Sequence, residues 1–209
     1  SGEREQAREL HAHYFYNLAT QMGQARDTPR ERDWLDRLEP ERANLRAVNS
    51  WAIEQGQSEF VHSFNGMLFA FWLYRSNSDE ARHCLEGALA LTAPPANRSA
   101  LLAEALALDV AGYIASEQRH YDQALRWFER EHMIQTMLDN QPGIATSLRG
   151  CGFVSMHRAD LVQAQLYTEQ SLQVSRAAYD RWGAAWSLYD LGYLTMVRGE
   201  YIAAQELLT

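Results

Sequence analysis

The chain has little of what a redox, metal or membrane protein needs. Two cysteines occur in 209 residues, Cys84 and Cys151, too few and too far apart for a metal-ligand cluster or a secreted disulfide framework. A reducing cytosol is the expected compartment. No charged-then-apolar leader opens the sequence, and its longest apolar runs, such as Met67 to Tyr74, fall far short of the roughly 20 residues that a membrane span needs. Positive charge is not in excess either. The formal charge is -8 and basic residues are scattered among acidic ones, leaving little with which to neutralise phosphates, so direct nucleic-acid binding is not expected. There is no GxxxxGKS or GxxxxGKT phosphate loop and, among seven histidines, no HExxH. No metal and no cofactor is expected.

What is present is a core. A content of 46% hydrophobic and 11% aromatic residues excludes disorder. Chemistry-bearing pairs give way to bland readings: His11 and His13, two apart on a helix, point in different directions, and His83 and Cys84 are helical neighbours that do not face each other. Asn97-Arg98-Ser99 matches a glycosylation acceptor, a pattern frequent by chance. Carboxylates read as solvated helix faces. The chain is not expected to be an enzyme.

The strongest signal is self-similarity. LDVAGYIASEQRHYDQALRWF from Leu108, LRGCGFVSMHRADLVQAQLYT from Leu148 and LYDLGYLTMVRGEYIAAQELL from Leu188 start 40 residues apart. Ala105, Ala145 and Ala185 coincide, as do Gly112, Gly152 and Gly192, and Ala124, Ala164 and Ala204. A fixed period in this range marks a solenoid. Apolar residues recur at helical spacing before and after the polar breaks Arg119-His120, Ala159-Asp160 and Gly199-Glu200. Each unit is therefore predicted to be a helical hairpin, with Asn140-Gln141-Pro142-Gly143 as a turn between units. A mid-helix glycine costs about 1 kcal/mol against alanine. Recurring at one phase, it predicts close approach of Gly112 to Ala124, Gly152 to Ala164 and Gly192 to Ala204.

The repeats are expected over 58–209, at about 58–95, 96–139, 140–179 and 180–209, the last incomplete, after an N-terminal helical cap over 1–57. Pro94-Pro95 is expected to expand a loop, and Pro40 to kink a cap helix or to open a new one. The chain stops at Leu207-Leu208-Thr209, midway through a helix whose apolar face lacks a following unit. It reads as a fragment of a longer protein, with self-association through this helix as an alternative.

The pattern of small residue, Gly and aromatic, then Gly-Glu-Tyr and Ala, best seen in Leu191-Gly192, Gly199-Glu200-Tyr201 and Ala204, resembles the tetratricopeptide repeat (TPR). Ser155, Thr195 and Ala159 depart from it. The resemblance implies an all-α fold, a right-handed TPR-like helical-hairpin solenoid. More specifically, HAHYFYNLA at 11–19, WLDRLEPERANLRAVNSWAIEQG at 34–56, FWLYR at 71–75 and ARHCLEGALAL at 81–91 resemble the region after the nucleotide-binding module of bacterial STAND-class regulatory ATPases, which often carry a LuxR- or SARP-type DNA-binding domain. That resemblance implies a sensor and coupling arm that binds a small-molecule inducer or a protein, with ATPase and DNA-binding domains elsewhere in the parent chain.

One stripe on the first helix of each unit, at spacing 3, 4, 3, is the candidate site. It comprises Leu106, Asp109, Tyr113 and Ser116, then Thr146, Arg149, Phe153 and Met156, then Trp186, Tyr189, Tyr193 and Met196. In stacked hairpins these rows would line a concave surface, with Asp109, Glu117, Arg149 and His157 as polar handles, suited to a peptide segment or a small organic ligand. Alternatively Tyr113, Phe153 and Tyr193 pack against neighbouring units.

Overall fold

The computed structural model describes residues 2–75, 78–91 and 97–208, all helices and connections without a strand among them. Two compact units are formed, Ser1–Ile114 and Ala115–Thr209. The first contains α1 (Gly2–Ala25), α2 (Glu31–Leu38), a 3-10 turn at Glu39–Glu41, α3 (Arg42–Glu54), α4 (Ser58–Met67), α5 (Phe69–Tyr74), α6 (Ser78–Leu89) and most of α7 (Arg98–Glu117). Pro40 sits in the 3-10 turn, where its missing N–H costs nothing, and α3 begins just beyond it. The expected first helix of the earliest repeat is interrupted at Leu68 into α4 and α5. Ala81, Leu85 and Ala88 on α6 are buried as the matched positions require.

The core of this unit is built around Phe64, Phe71, Trp72, Leu45 and Leu85. Two of its buried amides are linked: Asn65 Nδ2 donates to Asn49 Oδ1 at 2.7 Å, and Asn49 Nδ2 to the Cys84 carbonyl at 3.3 Å. Asn97 accepts from the amide of Ala100 at 2.9 Å, so the acceptor-pattern asparagine is the N-cap of α7. By length and composition α7 could cross a membrane, but most of it is buried inside the protein, as a core helix is. Pro94-Pro95 lies outside the described residues, as do the side chains of Leu207 and Leu208.

The second unit continues with α8 (Tyr121–Met137), α9 (Gln141–His157), α10 (Leu161–Ala177), α11 (Arg181–Val197) and α12 (Tyr201–Leu208). Consecutive helices pack on one another, and α9 also packs on α11. All three breaks named from the sequence are links between helices. The expected turn at Asn140–Gly143 is placed differently: Asn140 ends the link, while Pro142 and Gly143 are inside the first turn of α9, where proline is tolerated.

The links share one geometry. Arg119, Asp139, Ala159, Tyr179 and Gly199, each twenty residues after the last, have φ between 51° and 83°, in the left-handed region. Around each of them two backbone bonds close the helix end. At Ala159 they run from its amide to the Met156 carbonyl and from the Asp160 amide to the Ser155 carbonyl, both 2.9 Å. This is the Schellman arrangement, in which otherwise orphaned carbonyls are satisfied. Asp160 and Asp180 then act as N-caps, accepting from Gln163 and Gly183 at 3.1 and 3.0 Å. One residue thus closes one helix and the next opens another.

The glycine expectation holds where its surroundings are described. A Cβ at Gly152 would lie 2.7 Å from Thr168 Oγ1 and 3.3 Å from the Ala164 carbonyl on α10. Gly150, two residues earlier on α9, faces the other neighbour: its Cβ would run into the ring of Phe128 on α8. The pair lets α9 sit close to α8 and α10 at once. Buried serines complete the packing, with Ser171 Oγ donating to the Ala145 carbonyl at 2.8 Å and lying 2.9 Å from Ser187 Oγ.

Candidate functional site

The stripe is distributed over both units. In the first, Asp109 is only 6% exposed, and Tyr113 meets Phe69 edge to face with ring centroids 5.7 Å apart. Asp109 is thus buried, while Tyr113 is half-buried with its ring in a packing contact. Leu106, one row earlier, is the side chain that a Cβ at Gly66 would strike.

In the second unit the stripe opens toward water. On α9, Arg149, Phe153 and Met156 are half-buried and His157 is exposed; Glu117, at the end of α7, is exposed as well. His157 Nδ1 donates to the Phe153 carbonyl at 2.9 Å, and the two rings lie 4.2 Å apart. On α11, Trp186 is 37%, Tyr189 53%, Tyr193 41% and Met196 42% exposed. Large apolar side chains pay for such exposure unless a partner covers them. Trp182 extends the row by one turn, its ring 6.1 Å from that of Trp186 and nearly perpendicular, and Trp186 meets Tyr189 in the same way at 5.9 Å. Edge-to-face contacts of this kind stiffen a row of rings.

One ionic contact ties the two helices together. Arg149 Nε on α9 is 3.4 Å from Asp190 Oδ2 on α11, and the guanidinium is 5.3 Å from the centre of the Trp186 ring. Burial pushes the Asp190 carboxyl up to about 6, against the attraction of Arg149. Sequence reading missed both Asp190 and Trp182. The signals were there: Trp182 is one turn before Trp186, and Asp190 follows Arg149 by one repeat plus one residue.

Both thiols and one histidine are withdrawn from solvent. Burial pushes the Cys84 thiol up to about 11 and the Cys151 thiol up to about 12, the opposite of what a nucleophile requires. His132 is held below the usual imidazole range by burial, with Nδ1 3.0 Å from Ser147 Oγ. Among the described residues no three His, Cys, Asp or Glu side chains gather in a metal-binding group.

No protein-family model and no curated protein matches the sequence. Solved structures do. The apo form of RapI matches 95% of this chain with a TM-score of 0.68 at 12% identity; the chain spans about half of that structure, 52%. A Podosopora anserina protein described as a kinesin light chain of nearly identical TPR-like repeats matches over 94% of this chain and 90% of its own, with a TM-score of 0.66 at 16% identity. BtubC from P. vanneervenii matches 99% of this chain and 87% of its own, with a TM-score of 0.61 at 13% identity. Together with the helical hairpins above, these likenesses establish an all-α, TPR-like solenoid fold.

Proposed function

We propose that the chain is a non-catalytic recognition module whose partner, a protein or peptide segment or a small-molecule inducer, docks on the α9–α11 stripe. The observation that carries this reading is the row of exposed Trp186, Tyr189, Tyr193 and Met196 on one helix face, flanked by Arg149, Phe153, Met156 and His157. Aromatic side chains supply contact area at low entropic cost, and methionine adapts its shape to what it covers. The resemblance of the 34–56 block to STAND-class regulators supports a parent chain with ATPase and LuxR- or SARP-type DNA-binding domains. Partner binding would then favour one arrangement of the arm and bias the ATPase, a population shift. The cytoplasm, where such regulators work, is the proposed location.

The test compares the intact parent protein with its Trp186→Ala, Tyr189→Ala double variant as baits in parallel, identifying bound species by mass spectrometry. A species kept by the first and lost by the second is expected; equal capture by both removes the site. A phosphate loop upstream in the reading frame tests the parentage. A second reading, self-association, rests on the exposed Tyr201 and Ile202 of α12. It requires a dimer in light scattering that Ile202→Asp dissolves.

A further inference from the structure

We propose that the end of α1 and the start of α2 form a binding site for a small organic anion, a flat apolar body carrying a carboxylate. The site is built from the first unit alone and does not depend on the docking reading above.

The local chain explains why a cleft forms there. Asp27, with a φ of 59°, turns the chain out of α1. Thr28 Oγ1 donates to the Ala25 carbonyl at 2.6 Å and accepts from the Arg30 amide at 3.3 Å, which fixes the link. Leu35 and Leu38 are buried, and α2 packs on α1. Beside the link stays a half-open cleft of about 410 Å³, lined by Gln21, Gln24, Thr28, Arg30 and Trp34 among others. Small-molecule sites have volumes of this order, roughly 300–1,000 Å³.

Most of the polar groups in this lining are unused. A buried indole N–H ordinarily finds an acceptor, as Trp51 Nε1 does in Glu5 Oε1 at 2.9 Å. Trp34 is 8% exposed, yet its N–H meets no acceptor among the described residues. The side chains of Gln21 and Gln24, three apart in the last turns of α1, likewise make no bond among the described residues, and the Arg30 guanidinium pairs with no carboxylate there.

The charge is of one sign. In a chain of formal charge -8, the charged residue of the lining is Arg30. Neighbouring carboxylates are engaged elsewhere: Asp27 with Arg26 at 3.7 Å, Glu31 with the Asp27 amide at 2.9 Å, and Asp36 with Arg75. Neither these nor Asp33 line the cleft. The Arg37 guanidinium lies 4.7 Å from the centre of the Trp34 ring and adds a second positive charge beside the indole. This donor set selects an anion. A guanidinium fork holds a carboxylate through two parallel bonds, the glutamine amides and the indole add neutral donors, and the Trp34 ring offers an apolar wall to a flat ligand.

The test follows the indole N–H resonance of Trp34 in the nitrogen-15-labelled chain, assigned with Trp34→Phe. The probe is 4-fluorobenzoate, added to about 10 mM, tenfold above a millimolar Kd. A saturating shift of this resonance is expected, with those of Trp51 and Trp72 unmoved. Arg30→Gln, at an exposed residue, should weaken binding about tenfold. The neutral 4-fluorobenzamide should leave the resonance in place, and inorganic phosphate, which lacks the flat body, should move it far less. A flat response to 4-fluorobenzoate, an equal response to the benzamide or to phosphate, or one indifferent to Arg30→Gln overturns the site. If no indole resonance moves, that conclusion needs no variant. Failure here leaves the docking reading to its own capture experiment.

Discussion

Ala159 carries a conformation that its side chain resists. An L-residue in the left-handed region costs roughly 1–2 kcal/mol, and glycine avoids that cost at some expense in unfolded-state entropy. Since Ala159 is exposed, Ala159→Gly loses no packing; it should stabilise the chain by about 1 kcal/mol in denaturant unfolding. Gly199→Ala should lose a similar amount at the equivalent link. The absence of glycine at 159 looked from the sequence like a departure from the repeat, yet the backbone there is the same as at Gly199. Arg119, Asp139, Ala159 and Tyr179 share no side-chain chemistry, so the common link geometry could not be read from composition. The thiols give a second expectation at this scale. Cys84 and Cys151, pushed up by burial, should resist Ellman's reagent in the folded chain and yield two equivalents once guanidinium unfolds it.

At the scale of the helix, the legible part was the 40-residue period and the phase of the small residues. The buried Ala124, Ala164 and Ala204 lie where the pattern put them, because a small side chain at a fixed phase has few uses other than close approach. The role of Gly150 was less accessible: the repeat has no glycine at the equivalent Val110 and Asp190, so only coordinates show that Phe128 fills the space. Adding a methyl group there should cost about 1–3 kcal/mol through overpacking. In a double-mutant cycle, Phe128→Leu should recover part of the loss, giving Gly150→Ala and Phe128→Leu a non-zero coupling energy. Gly152→Leu, which would press on Thr168 and the Ala164 carbonyl, should melt well below the parent; an unchanged melting temperature would contradict the close packing of α9 on α10. The stripe was only half legible, since spacing marks a face but not its burial. Asp109 and Trp186 occupy rows that look alike in sequence, and one is enclosed while the other meets water.

For the molecule as a whole, the Asp190 carboxyl sets a sign for pH dependence. Its folded value, about 6, lies above the unfolded 3.8, so between these values the folded state holds a proton that the unfolded state has released. Stability from this group is full below the unfolded value and is lost as pH rises through the folded one. Relative to Asp190→Asn, the wild type should gain stability on acidification from pH 7 toward pH 4, by up to about 1.4 kcal/mol per tenfold difference in proton affinity. Urea unfolding of both proteins across that range measures it. The even spacing of the left-handed links bears on how such a chain can be shortened or lengthened. Excising 141–180 would join Asn140 to Arg181 with helix direction and capping both preserved, and should leave a folded protein with one hairpin fewer. Removing 141–160 would keep the caps in step but reverse every later helix, turning its apolar side outward. The ruler of this architecture is marked in single helices, yet its grammar admits edits only in pairs.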